Sequence, residues 1–110
     1  MAIIIHIYYK GENGNAKRFA EEMISRGIVE RIRKEEGNLK YDYFFLMEDK
    51  ETLFLIDSWK DQVSLDRHHA SPMMEEITYL REQYNLHMQV ERYISDEAGV
   101  SASDKKFIRK

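Results

Sequence analysis

Apolar positions along this chain change period several times, and the changes mark its elements. Ala2 to Tyr9 is a run of β-branched and aromatic residues, the signature of a strand. Lys10 to Gly14 (KGENG) is turn-rich, and Asn13 or Asn15 can cap a helix beginning there. Ala20, Ile24, Ile28 and Ile32 then recur every fourth position, with Phe19 and Met23 beside them, which predicts a helix. Gly27 interrupts that helix at a cost of roughly 1 kcal/mol relative to Ala, which leaves room for a kink or a break there. Glu36-Gly37-Asn38 ends it.

Strand signals return at Leu39 to Met47 (LKYDYFFLM) and at Leu53 to Trp59, with the charged EDKE at 48–51 read as the hairpin loop between them. Asp61 can cap a short helix. Ser71 can cap the next one, with Pro72 in its first turn, where a missing N–H does no harm. Met73, Ile77, Leu80 and Tyr84 form the apolar stripe of that helix, and Leu86 to Ile94 is a fourth strand. The order β-α-β-β-α-β predicts an α+β, ferredoxin-like domain with an antiparallel sheet over residues 1–94. Residues 95–110 are polar until Phe107-Ile108 and read as a tail, or as an arm that packs on a partner.

The strands do not alternate cleanly between apolar and polar, as a sheet with one wet face should. Ile3, Ile5 and Ile7 share one face of the first strand, and Ile4, His6 and Tyr8 the other. Tyr41, Tyr43 and Phe45 oppose Asp42, Phe44 and Leu46, while Leu53 and Leu55 oppose Phe54 and Ile56. The helices of one copy cover only one face, so a homodimer packed sheet to sheet is expected.

Composition narrows the functional classes. Net charge is −3, with 17 basic and 20 acidic residues interspersed, so there is no basic stripe for phosphates and no nucleic-acid partner is expected. Cysteine is absent, which rules out disulfides, thiolate metal sites and cysteine nucleophiles. The apolar N-terminus lacks a basic leader and a cleavage site, and no apolar run is long enough for a bilayer. A cytoplasmic protein without membrane partners is the expectation. Four histidines without i+3 or i+4 spacing make a poor metal set, Gly11-x-x-Gly14 lacks the Lys-Ser or Lys-Thr continuation of a phosphate loop, and no GxSxG exists for a serine nucleophile.

Three segments, EEGNLKYDYFFL, LFLIDSWKD and SLDRHHASPMM, together resemble the antibiotic biosynthesis monooxygenase (ABM) domain family. The family's glycine and following strand tyrosine match Gly37 and Tyr41. Its acid-x-Trp at the end of the third strand matches Asp57 and Trp59. Its helix histidine and helix-starting Ser-Pro match His68 and Ser71-Pro72. The resemblance covers about residues 2–94 and is strongest over 35–76. Two features depart from the family: Asp57 stands where Glu is more usual, and the tail is longer than the domain needs. The resemblance implies a dimeric α+β barrel with a pocket between sheet and helices in each subunit. It also implies oxygenation of a small phenol or quinol without metal, flavin or haem, because an electron-rich phenolate can reduce O₂ itself. The haem-degrading branch fits poorly, since the first strand has no Asn and His68 stands where that branch has Trp.

Within that frame His68 is the candidate general base, because an imidazole titrates near neutral pH, or else a packing residue at the helix–strand junction. Its neighbour His69 points about 100° away around the helix and should be exposed. Asp57 shares a strand face with Trp59 and could orient a histidine or bind a hydroxyl, with a structural hydrogen bond or ion pair as the alternative. Trp59 could stack on a flat substrate or plug the core. Tyr41 could donate to a substrate oxygen or sit in the core, and His6 could line the pocket or lie at the dimer's sheet interface. The expected site is therefore catalytic His68 and Asp57, with Trp59, Tyr41 and His6 binding the substrate. Two other functions use the same pocket: a non-catalytic binding module for an apolar or aromatic ligand, and an isomerase or hydrolase acting on a small carbonyl compound.

Overall fold

The computed structural model spans residues 1–110. Its elements run β1 (Ile3–Lys10), α1 (Asn15–Ser25), α2 (Ile28–Arg33), β2 (Asn38–Leu46), β3 (Asp49–Trp59), α3 (Gln62–His69), α4 (Met73–Gln83), β4 (His87–Ile94) and α5 (Ala102–Lys105). The four strands form one antiparallel sheet in the order β2-β3-β1-β4, the ferredoxin-like arrangement expected. The core lies between one face of this sheet and helices α1 to α4, built from Ile3, Ile7, Tyr9, Tyr41, Leu53, Leu55 and Trp59 below and Phe19, Met23, Ile28, Ile32, Ile77 and Leu80 above. No helix is long and apolar enough to cross a membrane.

The first predicted helix is two helices. Gly27 takes a left-handed conformation (φ 73°) and opens α2, a conformation glycine adopts without the Cβ penalty. The break resets the helical phase: α1 buries Ala16, Phe19, Ala20 and Met23, and α2 buries Ile28, Val29 and Ile32. Ile24, which a continuous stripe would bury, is 59% exposed.

The β2–β3 hairpin is tighter than its charge pattern suggests. Met47 and Glu48 make the turn, and Asp49 already pairs with Leu46, so 49–51 of the expected loop are strand. Residues 47–51 at the hairpin tip are all exposed, so polar side chains fit there. Asp61 caps α3 as expected, accepting from the Ser64 amide at 2.9 Å. Ser71 does not cap α4 with its side chain; its hydroxyl is buried without a partner, and its carbonyl accepts from the Met74 amide instead.

Gly37 fixes the approach of the α2–β2 loop to α3. Its φ is 87°, and a Cβ there would lie 2.1 Å from the Ser64 Oγ, so only glycine fits. Its carbonyl accepts from the Lys60 amide at 2.8 Å. These contacts hold residues 35–37 against the start of α3.

The other sheet face has no helix over it. His6 packs its ring against Phe54 and Tyr93, both at 4.9 Å between centroids, and Tyr8 and Phe44 extend the aromatic cluster. Beyond β4, the Ser95 amide donates to the Ala2 carbonyl, and residues 96–110, including α5, are exposed.

Candidate functional site

The C-terminal half of β3 carries the site. Asp57 and Trp59 are two residues apart and so share the helix-side face. The Trp59 Nε1 donates to the Asp57 Oδ1 at 2.7 Å, deep in the protein. The indole is fully buried and stacks on the His68 ring, with centroids 4.8 Å apart and planes 27° from parallel. On the imidazole's other side stands Glu35, with both carboxylate oxygens near Nδ1, at 3.0 and 3.1 Å. His68 is itself buried. Tyr41 faces Asp57 across the β2–β3 ladder. From α4, Arg81 donates through Nε and Nη2 to the Tyr9 hydroxyl, at 3.2 and 2.9 Å.

A cavity of about 330 Å³ opens beside this group, between the sheet and α3–α4. Ile5, Ile7, Leu65, Met74, Met88 and Val90 give it apolar walls. Tyr41, Asp57, Gln62, His68, His69, Arg81 and Arg92 supply its polar groups. Its size is at the lower end of small-molecule sites, and its mix of apolar wall and few convergent polar groups is typical of them. A larger groove of about 750 Å³ runs along α1, α2 and β2, lined in part by Ile24, Arg33, Lys34 and Asp42. It contains no histidine, and Arg33 is engaged by the Tyr41 carbonyl and Asp42. The chemically equipped cavity is the smaller one.

The electrostatics reflect burial. Burial pushes the Asp57 carboxyl up to about 6, against the opposing pull of the Trp59 hydrogen bond, His68 and Arg81. Burial holds the Tyr41 hydroxyl well above its usual range, reinforced by Tyr43 and Tyr9, so it is a neutral donor near pH 7. Burial also raises Tyr9, with Arg81 working the other way. His69 is pushed down by desolvation and by its neighbour His68.

Of the residues expected from the sequence, Asp57, His68 and Tyr41 converge on the cavity. Trp59 does not line it: the ring lies behind the wall, and His68 takes the face that would stack on a substrate. His6 lies on the opposite sheet face, away from the cavity, because side chains alternate along β1. His69 is exposed, as its helical phase requires, yet reaches the cavity lining. Sequence reasoning missed Glu35, Arg81 and Arg92. Glu35 lies 33 positions from His68, and only its place just before Gly37 hinted at a role. Arg81, four residues after Ile77 on the apolar flank of α4, was a readable interruption of that stripe. No three His, Cys, Asp or Glu side chains gather to hold a metal ion.

Known proteins share this fold. The chain is 28% identical over 69 residues to "Putative monooxygenase YcnE" of Bacillus subtilis (strain 168), an alignment covering 63% of this chain and 70% of that protein. Its fold matches a conserved protein from Methanosarcina mazei Go1 with a TM-score of 0.75 at 25% identity, covering 87% of this chain and 94% of that one. It also matches SnoaB, a cofactor-independent oxygenase from Streptomyces nogalater, with a TM-score of 0.71 at 10% identity, again covering 87% and 94%. The family model for antibiotic biosynthesis monooxygenase matches residues 2–78, and the chain belongs to that family.

Proposed function

We propose that this protein is a cofactor-independent monooxygenase acting on a small phenol or quinol. The observation that carries the reading is the largely buried Glu35–His68 pair at the wall of a cavity with apolar walls. A carboxylate facing Nδ1 keeps the ring proton there, which leaves Nε2 with the lone pair and makes it the proton acceptor. Proton transfer from a substrate hydroxyl to Nε2 forms a phenolate, and Glu35 balances the imidazolium that results. Tyr41, a neutral donor, can hydrogen-bond the substrate oxygen as its charge develops. The electron-rich phenolate gives one electron to O₂, and the resulting radical pair joins to a hydroperoxide at a ring carbon. The imidazolium returns its proton to the peroxide oxygen formed in that joining, and loss of the C–H proton from the same carbon breaks the O–O bond, leaving one oxygen as a carbonyl while the other departs as hydroxide and takes up the released proton as water. All the electrons come from the substrate. Asp57, with Oδ1 fixed by Trp59, orients the bound hydroxyl, and Trp59 backs the imidazole.

The experiment is oxygen uptake by chelator-treated protein over a panel of quinols and anthrone-like phenols. Saturable uptake beyond the spontaneous rate supports the reading, and none across the panel contradicts it.

The working unit in this proposal is a homodimer joined through the helix-free sheet face. Phe44, Leu46 and Tyr93 are exposed there at 44%, 37% and 46%, beside the His6–Phe54 cluster. An apolar, aromatic sheet face of this kind favours burial against a second copy. His6 belongs to that interface rather than to the substrate.

A further inference from the structure

The charges lining the cavity are unequal. Asp57 is the only acid, and one of its oxygens is engaged by Trp59. The basic groups are His68, His69, Arg81 and Arg92. Glu35 matches His68. Neither guanidinium has a carboxylate within 4.0 Å, whereas Arg26, Arg31, Arg33 and Arg67 each have one. Arg81 meets only a neutral hydroxyl, that of Tyr9, while partly buried. A guanidinium drawn from water without a counter-charge is costly, and an anion in the cavity would relieve that cost.

The sheet sets the spacing. Asp57 pairs with Ile5, and Ile5 pairs with Arg92, so the three stand in one row across β3, β1 and β4. Two strand spacings separate the ends of that row by roughly 10 Å. Between them lies the apolar Ile5, a floor for a flat ring.

We propose that the cavity selects an anionic aromatic ligand, one whose planar ring lies over Ile5 and whose carboxylate meets Arg92 at the end away from Asp57, with Arg81 adding to the positive charge of the cavity. The inference uses the oxygenase reading only to say which end of the ligand reacts.

The test needs no turnover. Binding of 2-naphthoate and of its neutral isostere 2-naphthamide, neither a phenol, is measured by calorimetry. The acid is expected to bind about tenfold tighter than the amide, the scale of a charge-assisted bidentate contact. Added salt should erode that preference. Arg92→Gln, at an exposed strand position, should abolish most of it without lowering the melting temperature. Arg81→Gln should weaken it too, although loss of the Tyr9 contact can cost stability. Equal binding of acid and amide, a preference that survives in both variants, or no saturable binding of either compound overturns the inference. An acid preference without oxygen uptake on any quinol would leave it standing and remove only the oxygenase reading.

Discussion

Glu35 and His68, from the α2–β2 loop and α3, meet with both carboxylate oxygens about the same distance from one ring nitrogen, at 3.0 and 3.1 Å. The carboxylate therefore sets which nitrogen carries the proton and which remains free, the usual second role of a residue beside a histidine base. Glu35→Gln keeps the side-chain shape but removes the charge that balances a protonated ring. In steady-state oxygen uptake, kcat should fall by about tenfold or more with KM little changed. A variant with wild-type kcat would reduce Glu35 to a packing residue.

The Asp57 carboxyl gives stability a defined pH dependence. Burial raises its folded-state pKa from 3.8 to about 6, so the folded protein binds the extra proton in that interval and stability falls as pH rises through it. Trp59, His68 and Arg81 hold it down, and Glu35 pushes it up. Asp57→Asn removes the buried charge while its amide oxygen can still accept from Trp59. The variant should be more stable than wild type above about pH 6, by ~3 kcal/mol, with the gap closing toward pH 4. Urea unfolding across that range checks it, and a gap that widened as pH fell would reverse the sign.

Gly37 is the position where backbone geometry holds the site together. Ala there would adopt a left-handed φ of 87° and place its Cβ on the Ser64 side chain. Gly37→Ala should cost about 2–4 kcal/mol in urea unfolding. Gly27→Ala, at a similar φ of 73° but with nothing within 4 Å of a Cβ, should cost about 1 kcal/mol. Equal losses in the two variants would mean that contact with Ser64 is unimportant.

The helix-free sheet face makes its own prediction. Phe44→Lys puts a charge among Phe54 and its aromatic neighbours without touching the helix-side core. Light scattering at micromolar concentration should give a two-copy mass for the wild type and a one-copy mass for the variant. A wild-type monomer would remove the sheet-to-sheet assembly.

Most of the fold was legible because periodicity and turn chemistry agree over most elements. Lys10–Gly14, Gly37 and Asp61 punctuate the chain where the elements change. What misled was a coincidence of spacing across Gly27, which linked Ile24 to Ile28 although their helices differ in phase. The β2–β3 tip also misled, because exposed strand residues look like loop. Of the site, the Asp57–Trp59 face comes from the strand period, and the resemblance carried His68 and Tyr41. The use of Trp59's face by His68, and the arrival of Glu35 and Arg81, depend on tertiary packing over long sequence separations. One sequence alone does not encode such partners in any local pattern.

The central claim is that His68 removes the substrate's proton in a reaction the protein carries out unaided. The direct measurement is the rate of oxygen uptake with a turned-over quinol, in the presence of chelator, for wild type and His68→Ala. The rate should survive chelation and fall by about a hundredfold or more in the variant, the scale of losing a positioned base. Unchanged uptake in His68→Ala, or uptake abolished by the chelator, would contradict the account.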